Sequence, residues 1–310
     1  MKSGFVAVIG RPNSGKSTLI NQILGTRLSI VSPKAQTTRE KILGILTEKQ
    51  GQIVFMDTPG IHKAKDGGIN EFMVGEARSA IETPGVIWYL VDPASRIEHE
   101  KTVIELLGKS GVQKRSSLML LMTKSDLSRG AIVGKLRGEV VQALEALGYK
   151  VHSDYMISAL KDKGVKPLLE ATWSILEEGP LFYPDEEQLS DRPTRFFVAE
   201  MIREKLFLHL GEEVPYSCAV EIDKFQESSK PPRIEATIYV ERESQKGMVV
   251  GKGGSKIKEL GQSARAEIEA FLGHKVFLGL NVKVLKEWTR SPEAMKRFGY
   301  RLKKKKDAAR

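Results

Sequence analysis

The chain has 310 residues, of which 41% are hydrophobic and 28% are charged, as is typical of globular rather than disordered or fibrous proteins. Its length predicts about two domains. The single cysteine, Cys218, excludes an internal disulfide and a cysteine-rich zinc site, and the five histidines lack the i, i+4 spacing that favours a metal site. No apolar run approaches the ~20 residues that span a bilayer, and a strand pattern starts too early for a secretory signal. We therefore expect a cytoplasmic protein.

Positive charge is concentrated at the C-terminal end of the chain, whose formal net charge is +10. Residues 1–190 carry 24 Lys and Arg against 22 Asp and Glu, and residues 191–243 carry 8 against 11. Residues 244–310 carry 17 against 6. This distribution predicts a polyanionic partner for the last segment. A solvated basic tail is the alternative for the run Lys303–Lys306 taken alone.

In the first half, short apolar segments alternate with amphipathic segments of helical length. The predicted strands are Phe5–Ile9, Ile42–Leu46, Ile53–Met56, Val86–Val91, Ser117–Met122 and Tyr155–Ile157. The predicted helices are Lys16–Leu24, Glu98–Lys109, Ile132–Leu147 and Val165–Leu176. Continuous apolar strands joined by crossover helices predict a doubly wound α/β domain with a mostly parallel sheet. Ligands of such sheets bind at the carboxyl ends of the strands.

The second half has a different pattern. Residues 177–193 are polar, acidic and rich in proline, which indicates a linker. The elements predicted beyond it are a helix at Thr194–His209, strands at Val214–Phe225 and Arg233–Arg242, a further helix, a glycine loop at Gly251–Gly254 opening a helix to Leu272, and a strand at Val276–Lys286. This order predicts a smaller α+β domain. We divide the chain into a first domain (1–178), a linker (179–193), a second domain (194–287) and a basic tail (288–310).

The first motif is a phosphate loop, Gly10–Ser17, which fits G-x-x-x-x-G-K-[ST] between the first strand and its helix. Its glycines allow successive N–H groups to point at phosphate oxygens, and the helix N-terminus adds partial positive charge. Lys16 would reach the β- and γ-phosphates, and the Ser17 hydroxyl would bind Mg²⁺. The nucleotide contacts assigned here are Asn13, Ser14, Gly15, Lys16, Ser17 and Thr18.

Two further segments predict the rest of the metal site. Asp57-Thr-Pro-Gly60 follows a strand, so Asp57 can hold Mg²⁺ through water and the Gly60 N–H can meet the γ-phosphate. The threonine loop, Gln36–Arg39, offers Thr37 or Thr38 as a second hydroxyl on Mg²⁺, ordered when the γ-phosphate is present. We take Ser17, Thr38 and Asp57 as the candidate ligands. A plain surface loop is the alternative for the tetrapeptide alone.

The guanine loop, Thr123–Asp126, predicts which base is bound. Its pattern fits the [N/T]-K-x-D form of a guanine reader. The Asp126 carboxylate can accept from N1–H and N2–H₂ of guanine, whereas adenine has a lone pair at N1 and no amino group at C2. The stem of Lys124 would cover one face of the base. Ser158, Ala159 and Leu160 follow the next strand, and the Ala159 N–H is expected to meet guanine O6.

Catalysis is assigned to Lys16, Thr38 and Gly60. Many GTPases carry a water-positioning glutamine after D-x-x-G, but this chain has Ile61, which cannot orient water. Arg11 and Arg39 are near in sequence, yet neither can be assigned as an arginine finger. We therefore predict slow, Mg²⁺-dependent hydrolysis of GTP to GDP and phosphate.

The glycine loop in the second half of the chain predicts RNA binding, and the segment around it resembles the core of a KH domain. The outer glycines allow the loop backbone to lie on a single-stranded sugar–phosphate backbone. Val249, Val250 and Ile257 would pack the flanking helices, and bases would lie between these helices and the first half of Arg233–Arg242. The RNA-binding residues assigned are Gly251, Lys252, Gly253, Gly254, Lys256 and Lys258.

These motifs together resemble the Era family of bacterial ribosome-assembly GTPases over nearly the whole chain. The resemblance lies in Gly10-Arg-Pro-Asn-x-Gly-Lys-Ser-Thr-Leu, Ser32–Arg39, Asp57–Ile61 and the Trp288…Phe298-Gly299-Tyr300 tail. It implies a P-loop GTPase domain followed by a KH-type domain, binding of 16S rRNA near its 3′ end, and maturation of the 30S subunit.

Two residues depart from the family pattern. Thr123 stands where the family usually has asparagine, and Ser14 replaces a usual valine. Related GTPases with this type of loop use the residue at Asn13 to hold K⁺ in place of an arginine charge. Trp288 fits either RNA stacking or packing on its own domain.

The favoured hypothesis is a monomeric GTP-driven, RNA-binding switch. In it, GTP orders the threonine loop and the segment after Gly60, and so changes how the second domain is presented to RNA. A phosphotransferase or ATPase is the second class, and Asp126 discriminates against it. A passive RNA-binding module with a vestigial nucleotide site is the third. The lysine run also makes peripheral association with the anionic inner face of the cell membrane a prediction to test.

Overall fold

The computed structural model describes residues 1–32, 34, 36–62, 67–111, 116–127, 130–211 and 213–302. The chain divides into two compact units. The first contains residues 1–29, 38–65 and 73–191, and the second contains residues 30–37, 66–72 and 192–310. No helix among the described residues has the length and apolarity needed to cross a bilayer.

The first unit is built on a six-stranded sheet with the order β2-β3-β1-β4-β5-β6. Its strands are β1 (Lys2–Gly10), β2 (Ile42–Glu48), β3 (Gly51–Asp57), β4 (Val86–Val91), β5 (Ser117–Met122) and β6 (Val151–Met156). Strand β2 pairs antiparallel with β3, and the other neighbours pair parallel. The predicted doubly wound, mostly parallel sheet is therefore confirmed.

Helices cover both faces of this sheet. They are α1 (Lys16–Leu24), α2 (Gly68–Ile81), α3 (Ile97–Ser110), α4 (Gly130–Ala146) and α5 (Val165–Ile175). Two separate apolar clusters result, one containing Ile9 and Tyr89 and the other containing Val8 and Trp88. Neighbouring residues of one strand thus enter different cores, which explains why the central strands are continuously apolar.

Sequence periodicity located most of these elements and missed one. The sequence prediction lacks helix α2, although its buried residues Met73, Ala77 and Ile81 recur at helical spacing. Strand β6 begins earlier than the predicted Tyr155–Ile157. It runs Val151–Met156 at the edge of the sheet, where its half-exposed residues alternate and carry little apolar signal.

The second unit contains a three-stranded sheet with the order β7-β8-β9. Its elements beyond residue 192 are α6 (Thr194–His209), β7 (Ala219–Gln226), β8 (Arg233–Val240), α7 (Glu243–Val250), α8 (Ser255–Leu272), β9 (Phe277–Val284) and α9 (Pro292–Arg297). Strand β7 is antiparallel to β8, and β9 is parallel to β8. The predicted smaller α+β domain is confirmed, although residues 214–217 form a 3₁₀ turn in place of the expected start of a strand.

One apolar core holds this sheet to α6, α7 and α8. It includes Ile202, Val249 and Ile268, and the thiol of Cys218 lies in it with no exposure to solvent. Trp288 packs back on this unit: it is fully buried and its indole N–H donates to the Ser217 carbonyl at 2.7 Å. Of the two roles left open for Trp288, the structure therefore selects packing.

Candidate functional site

The phosphate loop joins the end of β1 to the start of α1. Gly10 (φ 152°) leaves no room for a side chain, because a Cβ there would lie 2.5 Å from the Leu90 carbonyl oxygen. Gly15 (φ 94°) and Asn13 (φ 62°) take left-handed conformations, which curl the loop ahead of the helix N-terminus. The backbone is thus shaped as a concave nest for an anion.

Lys16 lies inside this loop. Its side chain is buried, and its ammonium donates to the carbonyl oxygens of Gly10 (3.2 Å) and Arg11 (2.9 Å). Burial lowers the pKa of Lys16 from 10.5 to about 8, although the carboxylates of Asp57 and Glu100 oppose that shift. A buried cation held by neutral carbonyls is well suited to receive a negatively charged ligand.

The three proposed metal ligands come together. Ser17 Oγ donates to Asp57 Oδ2 at 2.7 Å and lies 3.1 Å from Thr38 Oγ1. The other oxygen of Asp57, Oδ1, is buried and has no hydrogen-bond partner among the described residues. The Thr37 hydroxyl instead donates to the Lys34 carbonyl at 2.8 Å. Of the two threonines left open by the sequence, Thr38 is the one placed beside Ser17.

This oxygen cluster fits Mg²⁺, which takes oxygen ligands and is commonly held by one carboxylate together with substrate phosphates. The buried, unpaired Asp57 Oδ1 is the observation that carries the fit. Burial raises the pKa of Asp57, and the nearby Lys16 ammonium opposes that shift. Among the described residues there is no group of three or more His, Cys, Asp or Glu placed to hold a metal.

Gly60 and Ile61 follow β3 beside the phosphate loop. Gly60 lies against the phosphate loop, since a Cβ there would approach Pro12 Cα to 2.5 Å. Ile61 is buried in the apolar core and its N–H donates to the Gly10 carbonyl. The Arg11 guanidinium donates to Ser95 Oγ at 2.8 Å, and the Arg39 side chain is buried. The Arg11 guanidinium is thus held by Ser95 on the segment after β4.

The guanine loop follows β5. Thr123 donates through its hydroxyl to the Val91 carbonyl at 3.2 Å, and its Cβ lies 3.9 Å from the Cβ position of Gly15, beside the phosphate loop. Lys124 takes a left-handed conformation (φ 50°) and its ammonium contacts Asp92 Oδ2 at 2.7 Å. Asp126 is exposed, and its interaction with the Ser158 hydroxyl lowers the pKa of its carboxyl group. Asp126 is therefore ionised at neutral pH.

The last predicted base contact lies beside this loop. The Ser125 N–H donates to the Ile157 carbonyl at 3.0 Å, which ties the guanine loop to the segment after β6. Ser158 is buried, and a 3₁₀ turn starts at Ala159, where Leu160 is exposed. Because the start of a helical turn leaves N–H groups unpaired, the Ala159 N–H is suited to meet an acceptor on a base.

The glycine loop has the geometry that close approach to a nucleic-acid backbone requires. Gly251, Gly253 and Gly254 all have positive φ (73°, 59° and 78°). A Cβ at Gly251 would collide with Lys256 at 2.7 Å, so glycine is required there for the fold itself. A Cβ at Gly253 or Gly254 would meet no atom within 4 Å, so these positions face open space. The lysines assigned to RNA, at positions 252, 256 and 258, are all exposed.

A groove of about 370 Å³ lies beside this loop, and it corrects one prediction. The expected wall was β8, but β8 is the central strand of its sheet and both of its edges are paired. The wall is instead the edge strand β9. The groove is lined by Ile257, Lys258, Gly261, Gln262 and Arg265 from α8 and by Leu278 and Leu280 from β9. Sequence order could not reveal this, because β9 joins the sheet from the far end of the domain.

Several residues that support these sites could not be identified from the sequence alone. Asp92, Ser95 and Glu100 contact the guanine and phosphate loops, and Arg203 and Glu204 contact residues 30–37 within the second unit. Each lies outside any recognisable motif. Glu100 and Glu204 look like ordinary polar residues of amphipathic helices, and only their burial distinguishes them.

Comparison with known proteins agrees with this geometry. Residues 5–124 match the family described as 50S ribosome-binding GTPase, and residues 213–289 match the KH domain. GTPase Era of Carboxydothermus hydrogenoformans is 41% identical, and GTPase Era of Geobacter sp. (strain M21) is 45% identical. Each comparison covers 96% of this chain and 98% of the relative.

Two solved structures resemble the whole chain, each with a TM-score of 0.89 and covering 97% of this chain and 100% of the other. One, 36% identical, is an Era variant of Aquifex aeolicus bound to GDP and AlF₄⁻. The other, 35% identical, is Era in complex with MgGDPNP and nucleotides 1506–1542 of 16S ribosomal RNA.

The fold and the two sites define a P-loop GTPase that carries a KH domain. That class contains several families, and overall identity decides among them. At 41–45% identity over almost its full length, this chain belongs to the GTPase Era family, and the resemblance drawn from its motifs is confirmed.

Proposed function

We propose that this GTPase is a nucleotide-controlled switch that binds the 3′ region of 16S rRNA through its KH domain and acts in maturation of the 30S subunit. The observation that carries the proposal is the exposed, basic glycine loop beside the α8–β9 groove. An Era of known structure holds nucleotides 1506–1542 of 16S rRNA, which supports the choice of RNA. The domain limits predicted above (1–178, 179–193, 194–287 and 288–310) are part of the proposal.

The nucleotide site works through charge and positioning. Lys16 and the backbone N–H groups of the phosphate loop bind the phosphates, and Asp126 reads guanine. Ser17, Thr38 and Asp57 hold Mg²⁺, which neutralises charge on the β- and γ-phosphates when bound. The oxygen cluster around the unpaired Asp57 Oδ1 supports this assignment.

Hydrolysis is slow without a partner. Ile61 is buried in the core and has no group that could orient water, so Lys16, Thr38 and the Gly60 N–H supply the stabilisation. Asn13, at the left-handed turn of the phosphate loop, holds K⁺ in this proposal. Faster turnover in K⁺ than in Na⁺ buffer is expected, and equal rates would rule out the K⁺ role.

The switch depends on residues 30–37, which belong to the second unit. Within that unit, Arg203 donates to the Thr37 carbonyl at 2.6 Å, and Glu204 accepts from the Val31 N–H at 3.0 Å. The next residue along the chain, Thr38, is the metal ligand. A movement of Thr38 on loss of the γ-phosphate is therefore transmitted to α6 through the adjacent Thr37 carbonyl and its hydrogen bond to Arg203.

Substitution of Gly253 by Asp tests the RNA site. Asp tolerates the left-handed conformation at this position, and its Cβ has free space, so the fold is retained. Its negative charge repels phosphate, and we expect RNA affinity to fall at least tenfold. The measurement is fluorescence anisotropy with a labelled single-stranded RNA from the 3′ end of 16S rRNA, with mant-GDP titration alongside.

The matched control is Gly138→Asp, which adds the same charge to an exposed position on α4 and should leave RNA binding unchanged. Unaltered RNA affinity in the Gly253 variant would refute the glycine-loop assignment. No nucleotide binding by the unsubstituted protein would indicate a vestigial site and favour the passive RNA-binding module.

The proposal places the protein in the cytoplasm as a monomer. Peripheral membrane association through Lys303–Lys306, which lies outside the described residues, remains a separate prediction. Flotation with anionic vesicles, with and without residues 301–310, tests it: equal flotation of both forms would exclude the tail as an anchor.

A further inference from the structure

The segment that follows β4, residues 92–100, contacts the phosphate loop without being part of any nucleotide motif. The carboxylate of Glu100, on the first turn of α3, accepts from Ser95 Oγ and from the Tyr89 hydroxyl, each at 2.7 Å. Ser95 Oγ in turn accepts from Arg11 Nη1 at 2.8 Å, and that nitrogen lies 3.8 Å from Glu100 Oε1. Arg11 is the second residue of the phosphate loop.

Glu100 is a costly residue to place here. Its side chain is 1% exposed, and a buried carboxylate is destabilising unless hydrogen bonds and an opposite charge compensate it. Burial and the neighbouring Glu100 carboxylate raise the pKa of Tyr89 well above its usual value, so the phenol remains a donor. Arg11 supplies the positive charge that offsets the buried Glu100 carboxylate, and that carboxylate in turn orients the Arg11 guanidinium.

Arg11 links this cluster to the phosphate-binding lysine. The carbonyl oxygen of Arg11 accepts from Lys16 Nζ at 2.9 Å, while its guanidinium is held through Ser95. Tyr89 pairs in the sheet with Ile9, immediately before the loop. Arg11 is thus held through both its guanidinium and its carbonyl. The strand that leads into the loop is held by the pairing of Ile9 with Tyr89.

The same segment also contacts the guanine loop. Asp92 Oδ2 accepts from Lys124 Nζ at 2.7 Å, and Asp92 Oδ1 accepts from the Ala94 N–H at 2.9 Å. The second bond fixes the turn that carries Ser95, whose N–H donates to the Asp92 carbonyl. One short turn therefore fixes both a side chain that covers the base and a side chain of the phosphate loop.

We propose that residues 92–100 are a positioning element of the nucleotide site, in which Glu100 positions the phosphate loop through Arg11 and Asp92 positions Lys124. This inference rests on the proposed GTP site. Neither Glu100 nor Asp92 needs to touch the nucleotide. Both act on binding: they set the geometry that the ligand meets, so that less of its binding free energy is lost in ordering the loops.

A double-mutant cycle tests the Glu100 arm. Glu100→Gln preserves shape and one acceptor but removes the charge facing Arg11. Because hydrogen bonds and pairs that involve charge are the strong ones, we expect the Kd for mant-GDP to rise about tenfold. In an Arg11→Gln background the same substitution should change Kd less than twofold, because the partner is already gone. Single-turnover hydrolysis at saturating GTP should stay within twofold of the unsubstituted protein.

Glu98→Gln is the matched control, since Glu98 is exposed on the same helical turn and should leave Kd unchanged. If Glu100→Gln does not fold, Ser95→Ala removes the hydroxyl between Arg11 and Glu100 from a half-exposed position and should raise Kd in the same direction. The Glu100 arm would be overturned if the fold-changes in Kd of the two single variants multiplied in the Glu100/Arg11 double variant. It would also be overturned by an unchanged Kd in both the Glu100 and the Ser95 variants.

The Asp92 arm needs its own cycle. The pair is partly exposed (37% for Lys124 and 26% for Asp92), so Asp92→Asn should raise the Kd for GDP by about two- to fivefold. The effect should vanish in a Lys124→Gln background. Asp154→Asn, which breaks an exposed pair with Arg137 in the same unit, is the control and should leave Kd unchanged.

Persistence of the Asp92→Asn effect without Lys124 would overturn this arm. Failure of the inference is distinguishable from failure of the proposed function. In the first case the unsubstituted protein binds GDP and the substitutions have no coupled effect. In the second case the unsubstituted protein binds no nucleotide.

Discussion

Individual residues of the nucleotide site are tuned by where they are buried. Burial brings the pKa of Lys16 to about 8, which is within reach of ordinary buffers. Bound phosphate adds negative charge beside the ammonium and so raises that pKa. Binding of nucleotide above pH 8 therefore requires uptake of a proton.

The affinity for GTP should fall as pH rises through about 8, because an increasing share of the free protein has neutral Lys16. The loss approaches tenfold per pH unit well above the pKa. Mant-GTP titrations between pH 7 and 9 measure it. Lys16→Met is the control and should bind weakly with no such dependence. An affinity for GTP that does not change between pH 7 and 9 in the unsubstituted protein would contradict the lowered pKa of Lys16.

Asp126→Asn should exchange the base that is preferred. An amide N–H₂ donates where the carboxylate accepts, so it loses a bond to the guanine amino group and gains one to the carbonyl that xanthine has at C2. We expect GTP affinity to fall at least a hundredfold and XTP to become the better ligand. Competition against mant-GDP measures both. Competition by ATP within tenfold of GTP in the unsubstituted protein would overturn the guanine assignment.

At the scale of elements, α6 is more than a support for the KH sheet. Arg203 has a side chain that is only 2% exposed, and its guanidinium spans Glu200 (2.6 Å) and the Thr37 carbonyl (2.6 Å). A buried fork of this kind fixes two partners at once, and a lysine could not reproduce it. Helix α6 therefore fixes the backbone immediately before Thr38.

Arg203→Lys should weaken the influence of nucleotide on RNA binding. Lysine keeps the charge near Glu200 but has a single ammonium in place of the fork. The ratio of RNA affinities with an uncleavable GTP analogue and with GDP should move toward one, while mant-GDP affinity stays within about threefold. Arg195→Gln, an exposed arginine at the start of the same helix, is the control. An unchanged ratio would remove Arg203 from the switch.

Local sequence signals predicted the elements that depend on local patterns. Helix α1 and strands β4 and β5 begin and end where their apolar segments do. The motif loops were found because phosphate and base chemistry prescribe residue types at fixed spacing. What the sequence could not supply was non-local: the edge position of β9 and the buried partners Glu100 and Arg203. Strand β9 pairs with β8, Glu100 lies near Arg11 and Arg203 bonds to Thr37, and no local periodicity records contacts between residues so far apart in the chain.

For the whole molecule, the proposed switch is a coupling free energy between two sites. RNA affinity should differ about 5- to 150-fold between the GDP form and the form with an uncleavable analogue, at constant salt. Linkage then requires that RNA change the ratio of the two nucleotide affinities by the same factor. Anisotropy and mant-nucleotide titrations measure the two sides. Equal RNA affinity in the empty, GDP and analogue forms would leave two independent binding domains.

The seclusion of the only thiol has a practical consequence. Cys218 is fully buried in the KH core, so we expect maleimide dyes not to react with it in the folded protein. A pair of cysteines introduced at exposed positions, one in each unit, can therefore be labelled without a background signal. Energy transfer between the two fluorophores would then follow the motion of the switch in single molecules, through a complete cycle of GTP loading and hydrolysis.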